Sequence, residues 1–467
     1  MVTRREWRTA LTTAGAVGAL AVSACSTNDT HPTVPLPSAS RSEARAGMAQ
    51  FTPLPTSAAC TVPGGNPTAP FVLPAGLGQR VFASEPQFDD DIDMNTQNET
   101  GAQRGRYLYR PSEMSSNGSV SVTDLVTNET KIIAKRADWE RLDAAAWTPW
   151  GTLLTAEETN SARYRDPRYP DAKAGLVYEL FFAHGDLTRV DSVVARPALG
   201  SKAHEGMRFD SDGNVYSISE RNPGYIFKFV PDRKGDLSSG QLYALKIVQP
   251  TGDRTGKATW VALDRAAVRI DASAEGDRVG ATGYNRPEDV EIALASEHDD
   301  DRPEVMYVAI TGTGDNRVLA VELGRRHHDH DDTSHGRDEQ HHGSVFVYDY
   351  VRVGLNATMD FSSPDNLALD HSGNLYIAED PGGSFRNGAG KTTGDDIWMA
   401  PRAGKGQGRN PAKQIMRFAS LTDCDAEPTG IYYDLNQDRL FVNVQHRGGD
   451  GLDKAVAIEP MRSGESD

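Results

Sequence analysis

Phe209-Asp-Ser-Asp-Gly-Asn-Val-Tyr216 and Leu369-Asp-His-Ser-Gly-Asn-Leu-Tyr376 are two copies of one pattern. In each, a strand enters an Asp-x-x-Gly-Asn turn and a second strand leaves it. The turn residues tolerate positive φ and cap their own backbone, which suits a tight hairpin. Tyr433-Asp-Leu-Asn-Gln-Asp-Arg-Leu440 is a weaker third copy, and further hairpin candidates surround Gly151, Tyr225 and Met306. Between them lie short β-rich runs bounded by Gly, Asn, Asp and Pro, with few stretches of helical period. Hairpins recurring at intervals of tens of residues predict an all-β fold, a β-propeller of five or six blades with irregular loop insertions. Two packed β-sandwich domains are the alternative. In a propeller, equivalent loops of successive blades converge on one end of the central channel, so residues far apart in sequence can line one pocket.

The acidic motifs fit that geometry, because each lies at or near the end of a strand-like run. Trp147-Thr-Pro-Trp-Gly-Thr-Leu-Leu-Thr-Ala-Glu-Glu158 ends in two adjacent carboxylates. Neighbouring side chains on a strand point to opposite faces, so at most one of Glu157 and Glu158 faces the channel. His204-Glu205 precedes Gly206, and Asn285-Arg-Pro-Glu-Asp289 places Arg286 and Glu288 on one face of an extended segment. A cation beside a metal-binding carboxylate suits a phosphoryl group, whose oxygens both can stabilise; a structural ion pair is the alternative. Asp365, Asn366, Asp380, Asp395 and Asp396 offer hard oxygen ligands of the calcium type, and Glu427 and His446 are the last contributors in sequence. Carboxylates gathered from so long a chain make a hard-metal site. The chain has no Gly-x-Ser-x-Gly elbow, phosphate-binding loop or Gly-x-Gly-x-x-Gly turn to support a rival chemistry.

Residues 1–25 read as an address. Arg4-Arg5, an apolar stretch from Ala10 to Val22, and Val22-Ser-Ala-Cys25 together have the form of a twin-arginine lipoprotein signal with Cys25 as the lipidated residue. The expected product is exported and held at the outer face of the cytoplasmic membrane or in the periplasm, with the lipid as its only membrane contact. Residues 26–55, rich in Ser, Thr, Pro and Ala, read as a flexible tether, leaving 56–467 for the propeller. Residues 325–342 hold half of the 12 histidines in a His/Asp-rich insertion between strand-like runs, read as a blade loop with incidental metal affinity. The net charge of −17 argues against nucleic acid, and a monomer is expected. Of three cysteines, Cys60 and Cys424 remain after Cys25. An oxidising compartment permits a disulfide between them that would staple a ring shut, and two separate buried thiols are the alternative.

Taken in order, Thr-Pro-Trp-Gly-Thr with Glu-Glu, His-Glu, Arg-Pro-Glu, Ser-Pro-Asp-Asn-Leu and Gln-His resemble the PhoX-type alkaline phosphatase family over about Gly78 to His446. The resemblance implies a six-bladed propeller whose centre holds an oxo-bridged ferric pair with calcium and hydrolyses small phosphate esters. It implies Glu158, Glu205 and Glu288 as metal ligands and Arg286 as the contact to the phosphoryl group, with Asp365 and Asn366 near the site. One position departs from the pattern. The family has a Cys ligand to iron ahead of Thr-Pro-Trp-Gly, and counting back from that motif places Asp143 there. Aspartate is harder than thiolate, which favours calcium over the iron pair. The first expectation is therefore an exported metal-dependent phosphatase with Arg286 and Glu288 at the reaction centre. Two others are a calcium-dependent lactonase or esterase, on the likeness of Asp370 to Asp380 to gluconolactonase-type propellers, and a non-catalytic calcium-stabilised binding propeller.

Overall fold

In a computed structural model of the chain, both quoted turns have the same hydrogen bonding. Asp210 Oδ1 accepts the N–H groups of Asp212 and Asn214, and Asp370 Oδ1 accepts those of Ser372 and Asn374. Gly213 and Gly373 have φ of +86° and +80°, conformations a side chain disfavours. Asp434 caps the third copy through the Asn436 N–H, with Arg439 ion-paired to it in place of the glycine geometry.

The structure describes residues 48–60, 64–294, 303–312, 314–324, 345–380, 392–403, 409–446 and 451–461. The signal segment with Cys25 and the histidine-rich insertion 325–342 lie outside them. The described residues form antiparallel sheets with one α-helix, Val268–Val279. Each turn above joins the first two strands of a four-stranded meander. The described residues form six such meanders, at residues 96–135, 142–195, 207–252, 287–352, 364–421 and 427–460. The third and fourth share one nine-stranded sheet through an added strand, Thr255–Ala262. The sixth takes its last strand, Leu77–Ser84, from the start of the domain, paired with Lys454–Pro460.

The core explains why the meanders form a ring rather than two sandwiches. Its buried clusters lie between successive meanders: Tyr109 and Trp139 with Tyr178, Leu154 with Met207, Tyr216 with Val308, Ala309 with Ile377, and Phe418 with Val442. A smaller cluster, Leu108 with Tyr432 and Phe441, closes the sixth meander on the first. A sheet apolar on both faces has to be covered on both, and a closed ring of sheets covers every face. Closure is reinforced by the Cys60–Cys424 disulfide.

One boundary moves. Met48 is fully buried in the cluster between the fifth and sixth meanders, Phe51 packs against it, and the Leu54 N–H donates to the Arg417 carbonyl. The packed domain therefore includes at least residues 48–55, which composition had assigned to the tether. Low hydrophobicity over the whole segment hid two anchoring side chains.

Candidate metal centre

The start of a meander's first strand and the end of its second lie side by side in an antiparallel pair. Glu427 pairs with Gln445, Pro364 with Glu379, Pro287 with Ile310 and Leu142 with Glu157. Acidic residues occupy these two places repeatedly. At the start of the first strand, or just before it, stand Asp93, Asp143, Glu205, Glu288, Asp365 and Glu427, one from each meander. Immediately past the second strand, or one residue further on, stand Glu113, Glu158, Glu220 and Asp380. All ten line one cavity of about 290 Å³ with Arg141, Arg286 and Asn160.

Strand alternation decides which member of each acidic pair faces it. Glu158 lines the cavity, whereas Glu157 accepts the backbone N–H groups of Glu140 and Leu176. Asp380 lines it, whereas Glu379 accepts from Ser362, Asp396 and the Trp398 indole. Asp289, beside Glu288, accepts the Leu367 N–H. A side chain at Gly206 would collide with Asp289 and the Val290 N–H. The missing Cβ lets the third and fourth meanders approach closely enough for Glu205 to reach Glu288.

Ten carboxylates, eight of them buried and Glu113 and Glu158 partly so, cannot all stay ionised against two arginines without cations. Burial pushes Asp93, Asp143, Glu205 and Glu288 well above the usual carboxylate range, and neighbouring carboxylates add to it in each case. Burial and the Asp380 charge push Asp365 up to about 8. Burial and a hydrogen bond shared with Glu220 raise Glu158; against burial, that bond and Arg286 hold Glu220 down.

Two triads in this cavity have ligand-type atoms within 4.8 Å of one another: Asp93, Glu113 and Asp143, and Glu205, Glu288 and Asp365. Asp93 Oδ1 and Asp143 Oδ1 are buried with no hydrogen-bond partner. An all-oxygen set with orphaned buried oxygens fits a hard cation such as calcium. The arginines lie above the carboxylates. Arg286 is 39% exposed and Arg141 51%, while Glu288 is 2% exposed. Arg286 Nε meets Glu220 at 2.7 Å and its Nη2 meets Glu288 at 3.2 Å.

The expected residues Asp143, Glu158, Glu205, Arg286, Glu288, Asp365, Asp380 and Glu427 thus meet in one place. His446 is beside it, 3.1 Å from Glu427 and 3.2 Å from Asp91, and does not line the cavity. Asn366 is a correction. Its amide oxygen accepts the Gly430 N–H and its nitrogen donates to Asp365 at 3.2 Å, so it braces Asp365 rather than facing the cavity. Asp395 and Asp396 do not line the cavity either; Asp396 is paired with Arg417 at 2.6 Å. His204 is buried between the Gly200 carbonyl and Lys202 and does not line the cavity. Asp93, Glu113, Glu220 and Arg141 were not foreseen. Equivalence to Glu158 at the end of a second strand was the available signal for Glu113 and Glu220.

The family model for alkaline phosphatase PhoX matches residues 144–448. No curated protein matches the chain. Among solved structures, PhoX of Pseudomonas fluorescens in complex with vanadate, a transition-state analogue, is similar with a TM-score of 0.59 at 19% identity. The likeness covers 86% of this chain and 97% of that one, and at this identity it concerns the fold. A gluconolactonase of Xanthomonas campestris gives a TM-score of 0.41 at 12% identity over 87% of this chain and 99% of its own.

Proposed function

The chain belongs to the PhoX alkaline phosphatase family, and from that premise we propose that it hydrolyses phosphate esters in the carboxylate-lined cavity with bound hard cations. The observation that carries this reading is the layering of the site, with buried oxygen ligands below and an exposed Arg141 and a half-buried Arg286 above. An anion arriving from solvent meets guanidinium groups first and the cation-holding carboxylates beneath them.

Asp93, Glu113 and Asp143 would hold one cation and Glu205, Glu288 and Asp365 another. Bound cations supply Lewis acidity toward phosphoryl oxygens and lower the pKa of water. Arg286 is kept charged, since Glu288 and Glu220 raise its pKa against the effect of burial. Held by those two carboxylates, its planar fork presents donors where negative charge collects on the phosphoryl oxygens. Glu220 orients Arg286, and Asn366 orients Asp365. In the net reaction the oxygen of water bonds to phosphorus, the ester P–O bond breaks, and the alcohol leaves with a proton.

Asp143 in place of a thiolate supports calcium rather than a sulfur-ligated iron pair. Export with a lipid on Cys25 is part of the same proposal, and the Cys60–Cys424 disulfide accords with an oxidising compartment. The lactonase reading rests on the Asp370 to Asp380 run. There Asp370 caps a turn at the far end of the strand, and only Asp380 reaches the cavity. Turnover of a chromogenic phosphomonoester, with a lactone as the comparison substrate, tests the proposal. Hydrolysis of the lactone alone would overturn it.

A further inference from the structure

Arg141 repeats the local design of Arg286 in a different meander. Each stands two residues before a first-strand carboxylate, Asp143 or Glu288. Each has a left-handed backbone, with φ of 50° and 51°. Each is ion-paired to the carboxylate that follows the second strand of the preceding meander, Glu113 or Glu220. Asp91 and Ser363 have the same backbone at the corresponding places in the first and fifth meanders, with φ of 54° and 42°. The ring therefore offers one repeated position over the cavity, and two of its members carry a guanidinium. Among the described residues, Arg141 and Arg286 are the only cations that line the cavity.

The two differ in how firmly they are held. Arg286 meets Glu220 at 2.5 to 2.7 Å through Nη2 and Nε. Arg141 meets Glu158 at 3.3 Å and Glu113 at 3.7 Å, both through Nη1, with half of its side-chain surface in solvent. The cavity, at about 290 Å³, lies at the bottom of the range of small-molecule sites. Cations and one phosphoryl group would occupy it, so the remainder of a substrate lies across the rim.

We propose that Arg141 is a specificity-determining residue that binds a second anionic group of the substrate, so that the preferred substrates are phosphate esters bearing a further phosphate or carboxylate. The assignment rests on the phosphatase reading and deepens it. A guanidinium can take a second oxyanion through two parallel N–H groups, which a loosely paired arginine at the rim is placed to do.

The test uses two non-hydrolysable probes that differ by one anionic group, methylphosphonate and phosphonoacetate. Their affinities are measured by calorimetry on the calcium-loaded full-length protein, on Arg141→Asn, and on Arg141→Lys. Asparagine tolerates the left-handed backbone, and lysine keeps the charge without the fork. Wild type is expected to bind phosphonoacetate at least about tenfold more tightly than methylphosphonate. In Arg141→Asn that ratio should fall toward one while methylphosphonate affinity changes by less than about threefold, and Arg141→Lys should restore part of the ratio. A ratio unchanged in Arg141→Asn, or equal weakening of both probes, overturns the assignment and makes Arg141 a charge-balancing residue. A wild type that does not favour phosphonoacetate overturns it as well. Phosphomonoester turnover by the same wild-type sample decides the phosphatase reading separately.

Discussion

Removing cations from the cavity should make the protein less stable as pH rises, the reverse of ordinary acid denaturation. Asp365 is pushed up to about 8 in the folded chain from an ordinary 3.8. Between those values the folded chain holds a proton that the unfolded chain has lost, so unfolding becomes easier as pH rises. The slope is about 1.4 kcal/mol per pH unit for each such proton, or about 3 kcal/mol from pH 5 to 7 for Asp365 alone. Asp93, Asp143, Glu205 and Glu288 are shifted in the same direction. Burial lowers the pKa of His204 and of Lys202, which opposes the trend, but these two are outnumbered by the five raised carboxylates, and carboxylates shifted down do not offset it. Asp166, which Arg168 and Arg136 pull down to about 2 against the effect of burial, titrates below that window. Bound calcium would replace the protons. Each cation at a hundredfold excess over its Kd should add about 2.7 kcal/mol, a few degrees in Tm. The assay is thermal unfolding from pH 5 to 8 with calcium and with a chelator. The expected result is a chelated Tm that falls with pH and a calcium-dependent rise in Tm that grows with it. A chelated protein as stable at pH 8 as at pH 5, with a calcium shift independent of pH, would mean that the cavity carboxylates do not hold protons in the folded chain.

Glu288→Gln keeps the shape of a buried side chain in the second triad and removes its charge; turnover should fall at least about a hundredfold while circular dichroism stays that of the wild type. Arg286→Lys keeps a charge but loses the fork held by Glu220 and Glu288. Its kcat/KM should fall about tenfold to a hundredfold, with little change in the bound metal measured by elemental analysis. Asp143→Cys puts a thiolate into the triad with Asp93 and Glu113. Metal content should shift from calcium toward iron or zinc, and a calcium content unchanged from wild type would count against Asp143 as a ligand.

The two Asp-x-x-Gly-Asn copies made the β-architecture legible because a turn of that kind is a local event, completed within five residues by Asp210 or Asp370. What local pattern does not carry is register. Glu157 and Glu158 are equivalent on paper, and only the pairing with Leu142–Trp147 sends one to the backbone and the other to the cavity. Asn366 and Asp396 were misread for the same reason, each being one residue out of phase with a cavity-facing neighbour or bound to another strand. Glu113 and Glu220 sit in no recognisable motif and become visible only when the second strands are laid over one another. Arg141 becomes visible only beside Arg286. The tether boundary failed differently. Met48 and Phe51 are two apolar residues in a polar segment, and their burial depends on a groove between the fifth and sixth meanders.

Metal-dependent phosphatase activity is tested most simply by hydrolysis of a chromogenic phosphomonoester by the purified protein before and after chelation, with bound metals counted by elemental analysis on the same sample. Turnover should be lost with the metals and return when calcium is added back. Turnover that persists in protein shown to be metal-free, or no turnover in protein shown to be folded and calcium-loaded, would contradict a metal-dependent phosphatase.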